Sequence, residues 1–473
     1  MYSNRIKIFL LAAAAICLPQ VLQASENTEP ALTLDECLAI ALSDNPTVRI
    51  ADMEVTRMDY SKKEVIGQFL PSIDFSGSYS RTLAKQTMYM DLGAFGGMGG
   101  GGSDETETPA SRASGGKDTG MKVGLDNSYS AGFSATLPLI APQLWKALSI
   151  SDVQIAQALE QSRSSKLELI RQVKGAYYAF MLAEVSRTVI QESYDMAALT
   201  HETYTKQYAA GAASDYDVLR TSVAMKNIEP ELLQADIAIK QARLQLQILM
   251  GVDASFVFRT AGALSDYEGT MSEPLLGADP DLSGNTTLRL NSIQLDLQRK
   301  ALASQKLAYA PTLALTANYN WTSMNNGTPF KDLRWNPYSM IGLQLSVPIF
   351  SGGQRYSRVK QAQVQLTELE LQRENLERTV NMQVDLAVDN IRINVKQIGS
   401  CHESVLQAER AHDIMSKSFN LGAASYLDLR DSELALTRAR LAYYQAIYNY
   451  LVADSDLEQL LGNVSVEQYA KNR

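Results

Sequence analysis

Residues 419–428 read FNLGAASYLD, and residues 208–217, 211 positions earlier, read YAAGAASDYD. The two stretches share a Gly, a Ser three residues after it and an Asp three residues after the Ser. A Gly readily ends a helix because it adopts the left-handed conformation, and a Ser followed at the third position by an acidic residue forms a capping box that begins the next helix. Each stretch is therefore predicted to be the sharp tip of a helical hairpin, and the chain to contain two copies of one unit.

Long runs without proline lead into both tips. Residues 143–208 contain no Pro and one Gly, and residues 351–419 have apolar residues at steps of three, four or seven, which is typical of a coiled-coil seam. Each run predicts a helix of about 100 Å, at 1.5 Å per residue. Shorter helices are predicted after the tips, at residues 214–250, with a kink at Pro230, and at residues 425–461.

Short helices are also predicted ahead of the strands in each copy. Thr33 and Glu36 form a capping-box pattern that begins a helix ending near Asn45, and further helices follow at residues 46–67 and 286–309. In each copy the two shorter helices together are about as long as the long helix. Stacked end to end, they would give a layer of uniform height, with all strands at one end and both tips at the other.

Four stretches alternate apolar or aromatic residues with small polar ones, the period-2 pattern of a β-strand. They are residues 73–81, 129–137, 312–323 and 339–347. Pro138 and Pro348 are expected to end the second and the fourth of these strands. The Gly-rich and acidic residues 83–126 predict a flexible loop rather than a folded insert, and residues 252–285 predict a linker.

The N-terminus has the layout of a secretory signal peptide over residues 1–24. Arg5 and Lys7 precede an apolar run, and small residues follow around Ala24, where cleavage is expected. Lipidation is disfavoured because Cys17 lies inside the apolar run. Without Arg5 and Lys7 the chain keeps 41 basic and 52 acidic residues, a net charge of −11 that disfavours nucleic-acid binding.

Cysteine and histidine usage indicates neither a disulfide framework nor a metal site. Cys37 and Cys401 are predicted to be two separately buried thiols. The three histidines, His201, His402 and His412, are scattered along the predicted helices without metal-ligand spacing. Since a nucleophile elbow and a phosphate loop are also missing from the sequence, no enzyme activity, metal or cofactor is expected.

The predicted strands are 9 to 12 residues long, which is the length that crosses a bilayer when the strand is tilted. Four strands cannot close a barrel, for which about eight is the practical minimum, and lipid does not tolerate open sheet edges. If the strands span a membrane, several chains must contribute to one barrel. The alternative is a soluble protein in which a four-stranded sheet packs on a helical bundle, and the strand pattern alone leaves both possibilities open.

Several short motifs, in this order, resemble those of the outer membrane efflux protein (TolC-like) family, and the resemblance covers essentially the whole mature chain. They are Leu32-Thr33-Leu34-Asp35-Glu36 through Asn45-Pro46, Phe69-Leu70-Pro71, Leu345-Ser346-Val347-Pro348-Ile349-Phe350-Ser351-Gly352-Gly353, and the two Gly-to-Asp tips. The chain departs from the family at residues 137–142, which lack a Gly pair, and at Ala423-Ala424, where some members carry a basic residue that helps to latch the tunnel.

The resemblance implies a mainly α-helical fold with a small β part, in which four transmembrane strands per chain complete a 12-stranded barrel in a homotrimer and long helical hairpins form a periplasmic α-barrel. It further implies an outer-membrane channel of a tripartite efflux or type I secretion system, docked to a periplasmic adaptor and an inner-membrane pump. The expected segments are a signal peptide (1–24), N-terminal equatorial and short helices (25–71), a first transmembrane hairpin (72–140) with its outer loop (83–126), a first helical hairpin (141–251), a linker (252–285), a short helix (286–311), a second transmembrane hairpin (312–350), a second helical hairpin (351–462) and a C-terminal tail (463–473).

The tips carry the candidate functional residues. Asp217 and Asp428 stand at the third helical position, where a carboxylate caps the helix, whereas Asp431 has no such capping role and corresponds to Arg220 in the first copy. These four are expected at the aperture. The expected adaptor-docking residues are Gly211, Ala212, Ser214, Gly422, Ala423 and Ser425. A trimeric coiled-coil surface or structural protein without a pore is the alternative function, although it does not predict strands and tips that recur in the same order.

Overall fold

The computed structural model describes residues 30–88, 121–271 and 281–464. The α-helices within these ranges are α1 (Leu34–Asp44), α2 (Pro46–Gly67), α3 (Pro142–Ala209), α4 (Asp215–Lys226), α5 (Glu229–Met250), α6 (Thr286–Leu307), α7 (Gln354–Asn420) and α8 (Tyr426–Leu461). The strands are β1 (Ala31–Leu32), β2 (Ser72–Arg81), β3 (Gln86–Met88), β4 (Met121–Val123), β5 (Asn127–Ile140), β6 (Arg259–Thr260), β7 (Thr312–Asn325) and β8 (Asn336–Ser346). A 3-10 helix spans Leu264–Thr270. The described chain is thus mainly helical with a small sheet part.

Four strands form one antiparallel sheet in the order β2-β5-β7-β8. These are the four strands that the alternating pattern predicts. Within the described residues β2 pairs only with β5 and β8 pairs only with β7, so the outer edges of both strands keep unpaired backbone groups. The sheet therefore has two open edges.

The register of the sheet separates two faces of opposite chemistry. The first, called here the apolar face, carries Ile73, Phe75, Tyr79, Phe133, Tyr319, Trp321, Ile341, Leu343 and Leu345. The second, called here the hydroxyl face, carries Ser72, Ser76, Ser78, Ser130, Ser134, Thr136, Thr316, Asn318 and Asn320. The ring centroids of Phe75 and Phe133 are 5.0 Å apart on the apolar face, and the hydroxyl oxygens of Ser78 and Ser130 are 2.8 Å apart on the other.

The helices form a layer whose order follows the order of the strands. On one side α3 packs against α2 and α5, on the other side it packs against α6 and α8, and α7 packs against α6 and α8. The helices α2 and α5 form a column at one edge of the layer, and α2 leads into β2. At the other edge, β8 leads into α7. The two edges of the helical layer therefore continue the two open edges of the sheet.

Two asparagines join the stacked short helices. The Asn45 side chain accepts from the N–H of Thr47 at 2.7 Å, which caps α2, and donates to the Leu249 carbonyl at the end of α5 at 2.7 Å. Asn285 caps α6 in the same way and donates to the carbonyl of Leu460 in α8 at 2.7 Å. These bonds confirm the predicted end-to-end stacking.

The joint between the end of α8 and the start of α6 has no room for a side chain at Gly462. A Cβ on Gly462 would lie 2.0 Å from the carbonyl oxygen of Gly284, and its φ of 65° is in the left-handed region. Glycine is required here because the two backbones meet directly. Arg163 of α3 closes the joint by donating to the carbonyl oxygens of both glycines, at 3.1 Å and 2.8 Å.

An equatorial group of small elements packs on one side of α3. It consists of α1, the parallel pair β1 and β6, and the 3-10 helix. The Tyr177 hydroxyl of α3 lies 3.0 Å from the Leu32 carbonyl oxygen and 3.1 Å from that of Ala261, so it holds both segments of the parallel pair. Cys37 is fully buried in this core, and burial raises the pKa of its thiol to about 12. Cys401 is half-buried, and both cysteines are free.

The helix predicted after the first tip is interrupted at the position of the predicted kink. The chain forms α4 and α5, which are separated at Asn227 and Ile228. Pro230 provides the reason, because its ring clashes with the carbonyl of the residue four positions earlier, Lys226, where α4 ends. The two residues between α4 and α5 keep right-handed helical backbone angles, so the proline interrupts the helix where the kink is predicted.

Pro138 does not end its strand as predicted. It pairs with Ala314 inside β5, which continues to Ile140 through a register shift between Pro138 and Ile140. The bulge leaves Leu139 without a partner, and β2 pairs with β5 only as far as Thr136, so Pro138 lies where the ladder is incomplete and a missing N–H is tolerated.

Parts of the predicted loop (83–126) and of the predicted linker (252–285) form regular secondary structure. At the ends of the 83–126 loop, β3 pairs with β4, and Lys85 forms an ion pair with Asp126 at 3.0 Å. The 252–285 linker contains β6 and the 3-10 helix, which the equatorial contacts stabilise. The predicted signal peptide, loop residues 89–120, linker residues 272–280 and tail residues 465–473 lie outside the described ranges. None of the described helices has the length and the apolar composition of a membrane span.

Candidate functional site at the helical tips

Both tips have the same backbone geometry. Gly211 and Gly422 have φ values of 75° and 72°. The N–H of Ala212 donates to the carbonyl of Gln207 at 2.8 Å, and Ala423 makes the equivalent bond at the second tip. This six-residue closure is the glycine-ended helix termination that the sequence predicts.

A capping box follows each turn. The Ser214 hydroxyl donates to the Asp217 carboxylate at 2.6 Å, and the Asp217 N–H donates back to the hydroxyl at 3.2 Å. Ser425 and Asp428 repeat both bonds at 2.7 and 3.3 Å. Donation from the serine hydroxyl and the serine N–H holds the pKa of both carboxyl groups below its usual value. Both aspartates therefore cap their helices in this structure.

The two other aperture candidates, Arg220 and Asp431, lie on different helices, α4 and α8. Asp431 is one turn beyond Asp428 on α8 and its side chain is exposed. The Arg220 guanidinium of α4 lies over the Tyr426 ring, 4.8 Å from its centre. The structure thus gives Arg220 an aromatic partner in the other hairpin, which the sequence does not reveal.

An aromatic cluster, Tyr204, Phe419 and Tyr426, extends this contact between the hairpins. Tyr204 of α3 lies 6.1 Å from Phe419 of α7 and 5.8 Å from Tyr426 of α8, between ring centroids. Burial raises the pKa of Tyr204 and of Tyr426. The ends of the two hairpins are packed on one another within one chain.

A histidine–hydroxyl pair recurs behind each tip. The His201 Nδ1 atom lies 3.0 Å from the Thr221 hydroxyl, and that of His412 lies 3.4 Å from the Ser432 hydroxyl. Each contact joins the two helices of one hairpin. The two pairs are 211 residues apart in the chain, as the two tips are. Alignment of the copies could have found these pairs, because both members fall at matching positions.

Glu433 is a second feature that pattern reasoning missed. It lies on α8, 7% exposed, between the buried residues Leu429 and Leu436. Burial raises the pKa of its carboxyl group, and Arg430 partly opposes that effect. Ser222 is its counterpart in the first copy. In the sequence, Glu433 is marked only by its spacing, because an acidic residue stands among apolar residues at helical steps of three and four.

Across residues 30–88, 121–271 and 281–464, no group of three or more His, Cys, Asp or Glu side chains is arranged to hold a metal ion.

A long helical layer that ends in capped tips and continues at its other end into a sheet with an apolar face defines a class of proteins in which helical hairpins extend from a small antiparallel sheet. The chain belongs to the outer membrane efflux protein family, whose model matches residues 38–252 and 281–463. It is accordingly an outer membrane protein.

Two curated relatives illustrate the family. The chain is 22% identical over 349 residues to the outer membrane protein TolC of Escherichia coli (strain K12), with 72% of this chain and 70% of TolC covered. It is 24% identical over 294 residues to the cobalt-zinc-cadmium resistance protein CzcC of Cupriavidus metallidurans, with 62% of this chain and 67% of CzcC covered.

Two solved structures share the fold. The Campylobacter jejuni CmeC outer membrane channel superposes with a TM-score of 0.69 at 17% identity, over 93% of this chain and 89% of CmeC. The open state of the Neisseria gonorrhoeae MtrE outer membrane channel gives a TM-score of 0.65 at 17% identity, over 91% of this chain and 88% of MtrE.

Proposed function

We propose that this protein is the outer-membrane channel of a tripartite efflux or type I secretion system, and that three copies enclose one pore. The pore conducts substrates passively from the periplasm to the exterior after the tips dock to a periplasmic adaptor, which connects them to an inner-membrane pump. The observation that carries the proposal is the match between the two open edges of the chain.

Exposed apolar side chains follow both edges of the helical layer. On α7 they are Val364, Leu371, Met382, Leu386 and Ile393, each at least 55% exposed. On the opposite edge they are Tyr60, Met53 and Ile50 of α2, and Ile248, Leu244, Ile237 and Leu233 of α5. Stripes of this size on a soluble surface indicate a contact with another molecule.

The two stripes match in height. At 1.5 Å per residue, Leu371 and Ile50 both lie about 26 Å from the sheet end of their helices. Further along, Leu386 and Leu244 are about 48 and 44 Å from the sheet end. Apolar residues on the α7 edge of one copy therefore lie at heights similar to those on the α2/α5 edge of a second copy.

The same contact joins the sheets. If α7 docks on a neighbour's α2/α5 column, β8 comes beside the neighbour's β2, and the unpaired groups of both edges can bond. Four strands of 10 to 14 residues are too few for a barrel, whereas three copies supply 12 strands and leave no open edge in lipid. The apolar face would meet lipid and the hydroxyl face would line the pore.

At the far end, the tips of three copies would surround one aperture. Asp428, Asp431, Arg220 and Asp217 would control that aperture, since six carboxylates from Asp428 and Asp431 around one axis repel each other unless they are paired or screened. The exposed turns at Gly211, Ala212, Ser214, Gly422, Ala423 and Ser425 would receive the adaptor.

The test is to purify the full chain in detergent, to measure its native mass and to record it in planar bilayers. We expect a trimer that conducts, and Asp431→Ala should raise the conductance of the closed pore and reduce block by divalent cations. Asp413→Ala, on α7 near the same tip and paired with Lys417, is the matched control and should leave both unchanged. A monomer or dimer would refute the channel, and a trimer without conductance would favour a structural protein.

A further inference from the structure

The hydroxyl face of the sheet is nearly free of charge. In β2, β5, β7 and β8 its residues are Ser, Thr, Asn, Gln, Gly, Ala, Pro, Met and Tyr, with one exception, Asp74. No Lys or Arg of these four strands shares that face, because Arg81 pairs with Asn127 on the apolar side. Asp74 is therefore the only full charge on this face.

Register fixes the position of Asp74. It is opposite Ser134 of β5, which is in turn opposite Asn318 of β7, so all three side chains lie on the hydroxyl face. Asp74 is the third residue of β2, about 7 Å from the end of the sheet that meets the helices. Its side chain is exposed, and its neighbours on β2, Ser72 and Ser76, are short.

We infer that Asp74 determines the charge selectivity of the barrel, so that cationic cargo crosses it more readily than anionic cargo. This inference rests on the proposed function, because only three copies around one axis turn a single carboxylate into a ring. Rings of acidic side chains are a general means by which pores favour cations. The ring lies at the opposite end of the molecule from the aspartates of the tips, in series with them along the same pore.

Barrel dimensions make the effect measurable. Twelve strands 4.8 Å apart and tilted by about 40° give a barrel of about 12 Å radius. Three carboxylates that project inward then lie about 9 Å from the axis, within one Debye length of about 10 Å at 0.1 M salt. Their combined potential enriches a monovalent cation on the axis about two- to threefold and depletes an anion by the same factor.

The experiment measures the reversal potential of the full-length protein in planar bilayers under a KCl gradient. Asp74→Asn should lower the ratio of potassium to chloride permeability by at least about twofold at 0.1 M salt and by much less at 1 M, where the Debye length is about 3 Å. Ser72→Asn, which enlarges a side chain on the same face without changing charge, is the control and should leave the ratio unchanged.

A relocated charge separates the carboxylate from any effect on folding. In the Asp74→Asn background, Ser134→Asp places a carboxylate on the paired residue at the same height, and it should restore the parent ratio. A conducting trimer whose ratio is the same in the parent and in Asp74→Asn overturns this inference and leaves the channel intact. If the variant with both Asp74→Asn and Ser134→Asp does not recover the parent ratio of potassium to chloride permeability, the inference is also overturned. A parent protein that does not conduct overturns both the inference and the proposed function.

Discussion

The guanidinium of Arg220 lies 4.8 Å from the centre of the Tyr426 ring, and the two residues belong to different hairpins of the chain. Tyr204 packs against the same ring from α3, at 5.8 Å between centroids. Arg220 of the first hairpin thus places a positive charge beside the second tip, whose turn residues 421–425 include no basic side chain. The contact ties both hairpin ends into one unit.

Removing this contact should loosen the tips. A cation over an aromatic ring contributes about 0.5 to 2 kcal/mol, depending on how far it is desolvated. Arg220→Gln and Tyr426→Leu should therefore each raise the conductance of the closed pore, and the double variant should exceed neither single variant by much. Lys206→Gln, which breaks an exposed pair with Glu202 on the same hairpin, should change nothing. Independent, additive effects of Arg220→Gln and Tyr426→Leu would show that the two residues are not coupled.

The asparagine joints should be a main source of stability in the helical columns. Asn285→Ala removes a helix cap and a bond to the Leu460 carbonyl, which together should cost about 1 to 3 kcal/mol and lower the thermal midpoint. Asn45→Ala should act similarly at the first joint. Asn375→Ala, at an exposed position inside α7, should not lower the midpoint. If both joint variants melt with the parent protein in circular dichroism, the columns are held by side packing alone.

Buried Glu433 should make the stability near the second tip depend on pH. Burial raises the pKa of its carboxyl group, so the folded state binds the proton more tightly than the unfolded state. The packing around it is then most stable below the usual glutamate pKa of about 4.3, and stability is lost as the pH rises through the raised pKa. Lower stability at neutral pH than at mildly acidic pH is expected for this region.

Glu433→Gln keeps the shape of the side chain and removes the charge. It should raise the thermal midpoint at pH 7 and flatten its change between about pH 5 and 7. Glu403→Gln, which removes an exposed carboxylate on α7, is the control and should have little effect on that slope. An equal pH slope in the Glu433→Gln variant and in the parent would show that the carboxylate is hydrated.

Engineered disulfides should test the contact between copies directly. Leu386→Cys on α7 combined with Leu244→Cys on α5, in a Cys401→Ser background, should give chains linked into dimers and trimers on a non-reducing gel, because these positions are at similar heights on the matching edges. Leu386→Cys with Ile50→Cys is the control, since these levels differ by about 20 Å and a disulfide needs Cα atoms within about 7 Å. Crosslinking of the control pair, or of neither pair, would contradict the proposed register.

The sequence by itself determined the elements and their repetition. Gly211 and Gly422 end their helices because only glycine adopts the left-handed conformation without strain, and the serines at positions 214 and 425 begin the next helices because their hydroxyls satisfy free N–H groups. Alternation along residues 73–81 likewise sets a strand with two unlike faces. These are local effects, so they can be predicted without knowing what packs where.

Tertiary structure decided what distant residues do together. Pro138 stays within a strand because Ala314 of β7 pairs with it beside a bulge, and the 252–285 linker forms β6 because residues 31 and 32 lie beside it. The pairing of Arg220 with Tyr426 and the burial of Glu433 likewise arise where separate helices meet. Such contacts join residues that are far apart in the chain, and no local pattern encodes them because their energies exist only after the helices and strands have packed.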